Sequence, residues 1–512
     1  MHRPRTGVTS PIVRTRSSAG ASQSGEGTKE VAAGSPAKSA LAFIKKHGAK
    51  IVDFKFIDMP GMWQHTSVPA NAVDEGAFVD GIGFDGSSIR GFQEIQESDM
   101  VLLPDPASAR LDSFCAVPTV SFVCDIYDPR EQALYPRDPR GVAKRAASFL
   151  KKSGVADVAY FGPELEFFIF DHLSFDVLPY MSGYAIDSEE AHWNSGNNES
   201  PNLGYALRPK EGYYPVAPSD KHMDIRSEMV LALQDWGVPV EMHHHEVATA
   251  GQTEIDIRYN DLVTQADNVM IYKYVTRNVA RKYGKTVTFM PKPLFGDNGS
   301  GMHVHQSLWK GKSNLFFDAK GYAELSKLAL YYIGGLLTHV DALLAFCAPT
   351  TNSYKRLVPH FEAPVNVAFS KGNRSAAIRI PIFFKGARFS KAKRVEFRPP
   401  DCTANPYLAF SALLMAGLDG IKRKIDPVKA GFGPLDTNIY ELPAREAKKI
   451  KSVTGSLDES LAALEKDHAF LLEGGVFSKD LIDTWIDYKR QREIQEVKVR
   501  PHPYEFYLYH DL

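Results

Sequence analysis

The stretch Pro163-Glu164-Leu165-Glu166-Phe167-Phe168 decides how this chain is read. In an extended strand successive side chains point to opposite faces, so the two glutamates share one face and Leu165 and Phe167 the other. The same alternation recurs in Glu254-Ile255-Asp256-Ile257-Arg258-Tyr259 and in Arg394-Val395-Glu396-Phe397-Arg398, and His303 and His305 also share a face. A sheet surface facing water would give this pattern in any one strand. Here the pattern occurs in four strands, whose charged positions hold glutamate, arginine and histidine rather than lysine and threonine, and two of them adjoin glycine-rich turns (Gly251, and Gly296 to Gly301). That combination points to a cavity lined from the strands.

Residue types set the chemistry of such a lining. Glutamates with imidazole, and no thiolate, suit hard divalent cations such as Mg²⁺ or Mn²⁺ better than structural zinc. Interleaved arginines suit phosphate and carboxylate groups, which the guanidinium fork pairs bidentately. A metal site with a phosphate clamp and a carboxylate clamp implies phosphoryl transfer from a nucleotide onto an acid.

Composition narrows the remaining classes. The chain has 512 residues, with 60 Lys+Arg against 61 Asp+Glu and 44% hydrophobic residues, an ordinary globular make-up. At roughly 100–200 residues per domain, two to four domains are expected. The near-zero charge offers no field to steer nucleic acid or an anionic membrane, so neither is expected as a partner. Cys115, Cys124, Cys347 and Cys402 share no close spacing, which excludes a disulfide framework and suits a reducing cytoplasm. The longest apolar stretch, 328–348, is cut by Gly334-Gly335 and carries His339 and Asp341, so it reads as buried helix rather than a membrane span.

Along the chain, residues 1–36 are rich in Ser, Gly, Arg and Ala and read as a solvated, disordered tail; a transit peptide or an over-extended start would look similar. Ser35-Pro36 supplies a cap and first-turn proline for a helix closed by Gly48. Short β-branched runs at 51–56, 66–69 and 116–124 predict a small sheet-rich domain. Asp138-Pro139 starts a helix ending at Gly154, which sets a domain boundary near residue 137. Beyond it, strands such as 160–170 mix with long helices at 261–283 and 407–425, and Ser456 with Glu459 predicts a capping box for a helix through Leu472.

Three motifs carry no function. Gly81-Ile82-Gly83-Phe84-Asp85-Gly86 has the GxGxxG spacing without a preceding strand or a following helix. Gly284-Lys285-Thr286 and Gly311-Lys312-Ser313 lack the first glycine of a phosphate loop, at Val279 and Gln306. His243-His244-His245-Glu246 lacks the helical spacing of a zinc protease and reads as a packed or solvated segment.

From about residue 40 to Leu512 the sequence closely resembles the bacterial type I glutamine synthetases. The likeness rests on Phe84-Asp85-Gly86-Ser87-Ser88 with Glu97-Ser98-Asp99-Met100, on 163–168, on Glu246-Val247-Ala248-Thr249-Ala250-Gly251-Gln252-Thr253-Glu254, on Asn298-Gly299-Ser300-Gly301-Met302-His303, on Asn373-Arg374-Ser375, and on 394–398. The resemblance implies an α+β fold, with a small β-grasp domain over 37–137 and a catalytic domain over 138–512 whose strands line a funnel. It also implies a dodecamer of two hexameric rings, each active site completed by a neighbour's N-terminal domain. The implied reaction is ligation of ammonia to L-glutamate through γ-glutamyl phosphate, with ATP as substrate and two or more Mg²⁺ or Mn²⁺ per site.

Carried over by motif, Glu166, Glu246 and Glu254 resemble ligands of the metal nearer glutamate and ammonia, and Glu164, His303 and Glu396 those of the metal at the ATP phosphates. Asp85 resembles the residue that takes a proton from ammonium across the subunit interface, Glu362 the flap that shields the intermediate, and Arg374 the group that stabilises the transferred phosphoryl. The resemblance places Asn298, Gly299, His305, Arg356 and Arg398 at glutamate, Tyr259, Ser307, Arg379 and Arg394 at the nucleotide, and Tyr213 near Asp85. Tyr440, in Asn438-Ile439-Tyr440-Glu441-Leu442-Pro443, resembles the tyrosine that an adenylyltransferase modifies in some members. Departures are Phe92, where many relatives have tryptophan, and Ala444-Arg445 after the tyrosine segment. Two other readings share the scaffold: ligation of a polyamine or other amine, and an inactive assembly protein, in which the metal ligands should erode first; all six are present.

Overall fold

The computed structural model describes residues 35–198, 201–358, 363–383, 385–437 and 450–512. Glu362, Tyr440 and nearly all of the N-terminal tail lie outside the described residues.

Helix α1 (Pro36–Lys46) begins where Ser35 Oγ accepts from Lys38 N at 3.2 Å, and its Ala40 and Ile44 face the first core. That core lies on a seven-stranded sheet of β1 (Ile51–Ile57), β2 (Trp63–Pro69), β3 (Ile82–Asp85), β4 (Asp99–Pro104), β5 (Arg110–Leu111), β6 (Thr119–Asp128) and β7 (Ala133–Leu134). The order is β2-β1-β6-β4-β3, with β5 and β7 on β6. The β1–β6 pair is parallel and the others antiparallel, so a helix covers a mixed sheet as a β-grasp requires. A one-turn helix, α2 (Gly76–Val79), leads into β3 at the sheet's edge.

Buried charge fastens this sheet to the rest of the chain. Arg140, on α3 (Pro139–Lys152), reaches Asp105 at 2.7 Å and Asp125 at 2.8 Å in the small sheet's segments, and Asp267 at 3.0 Å beyond them. Three carboxylates around one guanidinium satisfy a cation that burial would otherwise make costly. Tyr407 Oη donates to the same Asp267 at 2.5 Å, and Tyr274 Oη to Asp112 at 2.9 Å.

The second sheet has ten strands. Its long central strand is β8 (Val158–Phe170); β9 (His172–Leu178) and β10 (Met181–Asp187) form a separate exposed hairpin. Then come β11 (Val240–His245), β12 (Gln252–Ile257), β13 (Asn260–Asp261), β14 (Thr286–Thr288), β15 (Met302–Lys310), β16 (Ser313–Asn314), β17 (Asn366–Lys371), β18 (Ala376–Ile380) and β19 (Val395–Phe397). The order is β11-β12-β8-β15-β19-β18-β17, with β13 and β14 on β8 and β16 on β15. One face is apolar: Phe161, Leu165, Phe167, Ile255, Val304 and Phe397 enter a core shared with α5 (Leu262–Lys282) and α9 (Pro406–Arg423). Phe161 stacks on Phe410 of α9 with ring centroids 5.0 Å apart.

Two helix expectations change in detail. The apolar stretch 328–348 is buried, but it breaks into α6 (Lys327–Thr338) and α7 (Val340–Cys347), bent by 76°, and the bend is at His339 rather than at Gly334-Gly335. The glycines serve packing: a Cβ on Gly335 would meet Ala416 O at 2.0 Å, and one on Gly334 would meet Ile425 O at 2.1 Å. Among the described residues no single helix is long and apolar enough to cross a membrane. Ser456 caps its helix by accepting from Glu459 N at 3.3 Å, yet Glu459 accepts from Gly455 rather than Ser456, and that helix stops at Lys466. A new one-turn helix follows at Ala469–Leu472.

Candidate active site

The polar face of the large sheet is set by alternation and by register together. On β8, Tyr160, Gly162, Glu164 and Glu166 line one cavity of about 930 Å³, while Phe161 and Leu165 between them face the core. On β15 the same cavity takes His303, His305 and Ser307; on β12, Gln252, Glu254 and Asp256; around β19, Arg394, Glu396 and Arg398. Register then sets the neighbours. Glu254 stands opposite Glu166 on one side and His244 on the other. Asp256 stands opposite Glu164, and Glu164 opposite His303. His305 stands opposite Glu396, and Glu396 opposite Arg379. Directly opposed residues on adjacent strands are about 4.5–5.5 Å apart at Cβ, so three lines of ionisable groups cross the sheet within reach of one another.

All six residues taken as metal ligands line this cavity. Single ligand atoms of Glu164, His305 and Glu396 lie within 4.8 Å of one another, as do those of His244, Glu246 and Glu254, and those of Glu164, Glu254 and Asp256. The groupings differ from the two expected trios in that His305 completes the tight cluster with Glu164 and Glu396, while His303 Nδ1 lies 3.3 Å from Glu164 and its Nε2 3.9 Å from Glu166. His305 Nδ1 accepts from Arg394 Nε at 3.1 Å, so its Nε2 carries the proton donated to Glu164 at 2.6 Å.

Charge is unevenly distributed along the cluster. Burial and the nearby Glu166 carboxylate push the Glu246 carboxyl up to about 8, and burial with Glu164, Asp256 and Glu166 drives Glu254 well above the ordinary range. Asp256, also buried, is pushed up to about 6. On the other side, burial acts upward on Glu164 and Glu396 too, but His305 and His303 outweigh it at Glu164, and Arg398 with His305 at Glu396, so both are held below the carboxylate range. Glu396 is fully buried between Arg398 at 2.5 Å and Arg379 at 2.6 Å. Carboxylates in excess of the protein's own cations, all with oxygen or imidazole donors, fit divalent cations, whose charge would relieve the repulsion around Glu246 and Glu254.

The substrate residues divide likewise. Asn298, Gly299, Tyr259, Arg374 and Tyr213 line the cavity with Arg356, Arg379, Arg394 and Arg398. Arg356 is anchored by carbonyls, donating to Pro399 O at 2.9 Å and Pro400 O at 3.2 Å, and lies against Gly301, where a Cβ would come within 2.4 Å of its guanidinium. Asp85 is not among the lining residues. It is exposed on edge strand β3, where its carboxylate accepts from Ser87 Oγ at 2.6 Å and Ser88 Oγ at 2.9 Å, and these hydroxyls hold it below the ordinary range. Tyr213 stacks on Tyr214 with centroids 4.1 Å apart.

Asp256, Gln252 and His244 also line the cavity and were not singled out from the sequence as site residues. Asp256 was visible in the alternation of its strand. The expectation of a packed or solvated run holds only for the neighbours of His244: His245 is buried against Glu190 and His243 meets Arg226. Arg258, expected to share the polar face, is exposed past the end of β12 at Ile257 and does not line the cavity; Tyr259, also exposed, borders it instead.

Residues 136–509 match the family model described as glutamine synthetase, catalytic domain, and residues 48–129 the one described as glutamine synthetase, beta-Grasp domain. The glutamine synthetase of Frankia alni is 56% identical over 477 residues, 93% of this chain and 99% of the relative. That of Microchaete diplosiphon is 55% identical over 471 residues, 92% and 98% of the two chains. Among solved structures, the cryo-EM structure of Plasmodium falciparum glutamine synthetase has a TM-score of 0.83 at 31% identity, covering 94% of this chain and all of that one. A structure titled as a GmaS/ADP complex has a TM-score of 0.76 at 27% identity, covering 92% and 99%. With both family models matched in order and relatives more than half identical over nearly the whole length, the chain belongs to the glutamine synthetase family, the glutamate–ammonia ligases.

Proposed function

We propose that this chain makes glutamine from L-glutamate, ammonia and ATP, with the cavity of the large sheet as the seat of the chemistry. The observation that carries the reading is the opposed row of carboxylates and imidazoles, Glu254 to Glu166 and Asp256 to Glu164 to His303, bordered by arginines. A carboxylate is a poor electrophile at neutral pH, so the γ-carboxylate of glutamate is first converted by ATP into an acyl phosphate, which ammonia then attacks. Charge gathers on the transferring phosphoryl group, and fixed cations positioned beforehand stabilise it most.

Glu166, Glu246 and Glu254 would hold one divalent cation and Glu164, His303 and Glu396 a second, either Mg²⁺ or Mn²⁺. When bound, these ions supply positive charge at the phosphates and the acid being activated. The chain's own part is orientation. Arg374, Arg379 and Arg394 face the phosphates and nucleotide with Tyr259 and Ser307; Arg356 and Arg398, with Asn298, Gly299 and His305, receive glutamate. Asp85, ionised and exposed, would meet the ammonium of a neighbouring chain's cavity, in a dodecamer of two hexameric rings. Glu362 would close over the intermediate and exclude water that would hydrolyse it. The small domain is taken as 37–137 and the catalytic domain as 138–512. A cytoplasmic enzyme agrees with four unpaired cysteines. Adenylylation at Tyr440 would add bulk and negative charge to its segment.

The test is phosphate release by the purified protein with glutamate, ATP and Mg²⁺ or Mn²⁺, comparing ammonium, putrescine and ethanolamine as acceptors alongside the mass in solution. Ammonium should be preferred by a wide margin. Equal or better use of putrescine or ethanolamine would replace ammonia with an organic amine, and absence of phosphate release with every acceptor would refute catalysis.

A further inference from the structure

Strand alternation divides the run His243-His244-His245. His244 faces the cavity, and the other two rings face away from it. His245 is buried, and each of its ring nitrogens meets an oxygen that acts only as an acceptor: Nδ1 lies 2.7 Å from the carbonyl of Glu246, and Nε2 lies 3.0 Å from Glu190 Oε2. The ring therefore bridges a buried carboxylate to the main chain of Glu246.

Glu190 is fully buried and does not line the cavity. Its Oε2 also lies 3.0 Å from Nδ1 of the equally buried His222, and its Oε1 accepts from Lys221 N at 2.6 Å. A carboxylate removed from water is costly unless it is paired, so this one is held for its partners. Those partners are confined. A Cβ on Gly251 would lie 2.8 Å from the His222 ring, and one on Gly212 would lie 3.0 Å from the His245 ring and 2.6 Å from Glu246 O. Glu246 itself closes the strand: its N donates to Gln252 O at 2.9 Å, and its Oε2 accepts from Val247 N at 2.9 Å. Both rings are packed against backbone, so displacement of Glu190 would be passed through His245 to Glu246, which carries one of the cavity's carboxylates.

We infer that Glu190 is a positioning residue that holds Glu246 at the cation site through His245. This rests on the reading of Glu246 as a cation ligand. The neighbouring Asp220–Arg226 pair supplies an internal control, because it reaches His243, whose ring contacts Arg226 and not Glu246.

The experiment is a Mn²⁺ titration of chelator-treated protein, with free Mn²⁺ read by electron paramagnetic resonance and cation dependence of activity measured in parallel. In Glu190→Gln, one class of Mn²⁺ sites should weaken by about 10–100-fold, with activity recovering towards the parent value at saturating cation. Glu190→Asp, which keeps the charge on a shorter arm, should fall between, and decides the matter if the glutamine variant does not fold. Asp220→Asn should bind as the parent does. Parent-like Mn²⁺ affinity in folded Glu190→Gln or Glu190→Asp would overturn the inference, as would equal weakening in Asp220→Asn. A Glu246→Gln control that keeps every Mn²⁺ site would instead refute Glu246 as a ligand, and the clamp with it.

Discussion

Glu396 is where the cavity's charge is most tightly balanced, and its removal is the sharpest test of the proposed chemistry. The side chain is fully buried, 2.5 Å from Arg398 and 2.6 Å from Arg379, and stands opposite His305 on the next strand. Glu396→Ala leaves the buried Arg398 and the half-buried Arg379 without their carboxylate, and breaking a buried ion pair from one side costs about 3–5 kcal/mol. It also removes a proposed ligand of the cation at the phosphates, and loss of a fixed group that stabilises the charge gathering in the transition state costs roughly 10²–10³ in kcat. The freed arginines compound this, since both are among the groups taken to receive phosphate or glutamate. Activity is therefore expected to fall by about 10³-fold or more in the alanine variant and by about 10²-fold in Glu396→Gln, which keeps the volume and loses the charge. Val395 and Phe397, which flank it, pack into the core on the other face and are untouched, so the mass in solution should not change. The assay is ATP-dependent phosphate release with glutamate and ammonium at saturating Mg²⁺, with light scattering for assembly. An intact assembly of either variant that works within tenfold of the parent would refute the reasoning.

Three further outcomes are open to measurement. If Asp85 serves a neighbour's cavity, mixing inactive Asp85→Asn chains with inactive Glu396→Ala chains and allowing exchange at 1:1 should restore about a quarter of parent activity, because in a head-to-tail ring that share of interfaces joins an intact cavity to an intact Asp85. No recovery in demonstrably mixed assemblies would place Asp85's action within its own chain. His339, at the bend between α6 and α7, has Nδ1 2.7 Å from Asp467 and Nε2 2.9 Å from Asp419; burial lowers its pKa, but the two carboxylates outweigh it and raise it. Its contribution to stability is thus full below about 6.5 and fades as pH rises through the folded-state value, so His339→Asn should lose more stability against urea at pH 6 than at pH 9, and an equal loss at both would contradict the assignment. Gly335→Ala sets a helix-propensity gain of about 1 kcal/mol against a Cβ placed 2.0 Å from Ala416 O; a backbone atom cannot yield, so the net should be destabilisation of about 1–3 kcal/mol by urea unfolding, and a stabilised variant would show the α6–α9 contact to be looser than described.

The polar strand faces were legible because a period of two needs no knowledge of partners. Glu164 with Glu166, His303 with His305, and Glu396 with Arg394 and Arg398 all line the one cavity. Register was not legible, since it is decided by turns and irregularities such as the shift between Val240 and Met242 on β11. That is why the alternation shows Asp256 in its strand but not as a neighbour of Glu164, and why the run 243–245 does not mark His244, which stands opposite Glu254. Strand ends escaped for the same reason: a pattern does not say where pairing stops, and one residue past Ile257 exchanged Arg258 for Tyr259.

Glu164 shows what register adds to a list of ligands. Placed in one trio by motif, it lies within 4.8 Å of both His305 with Glu396 and Glu254 with Asp256, at the middle of the row. Like Glu254, which stands between Glu166 and His244, it is opposed by a carboxylate on one side and an imidazole on the other. Its pKa is held down by the imidazoles, while Glu254 and Asp256, on the far side, are driven up by burial and by the charge of Glu164 itself. The cluster therefore has a gradient, from carboxylates closely paired with arginine and histidine to Glu246 and Glu254, whose nearest ion-pair partner among the described residues is the His244 ring at 3.6 and 3.9 Å. Cations from solution have most to gain at the loosely paired end, around Glu246 and Glu254, and that is the end whose ligand Glu246 is held from behind by His245 and Glu190.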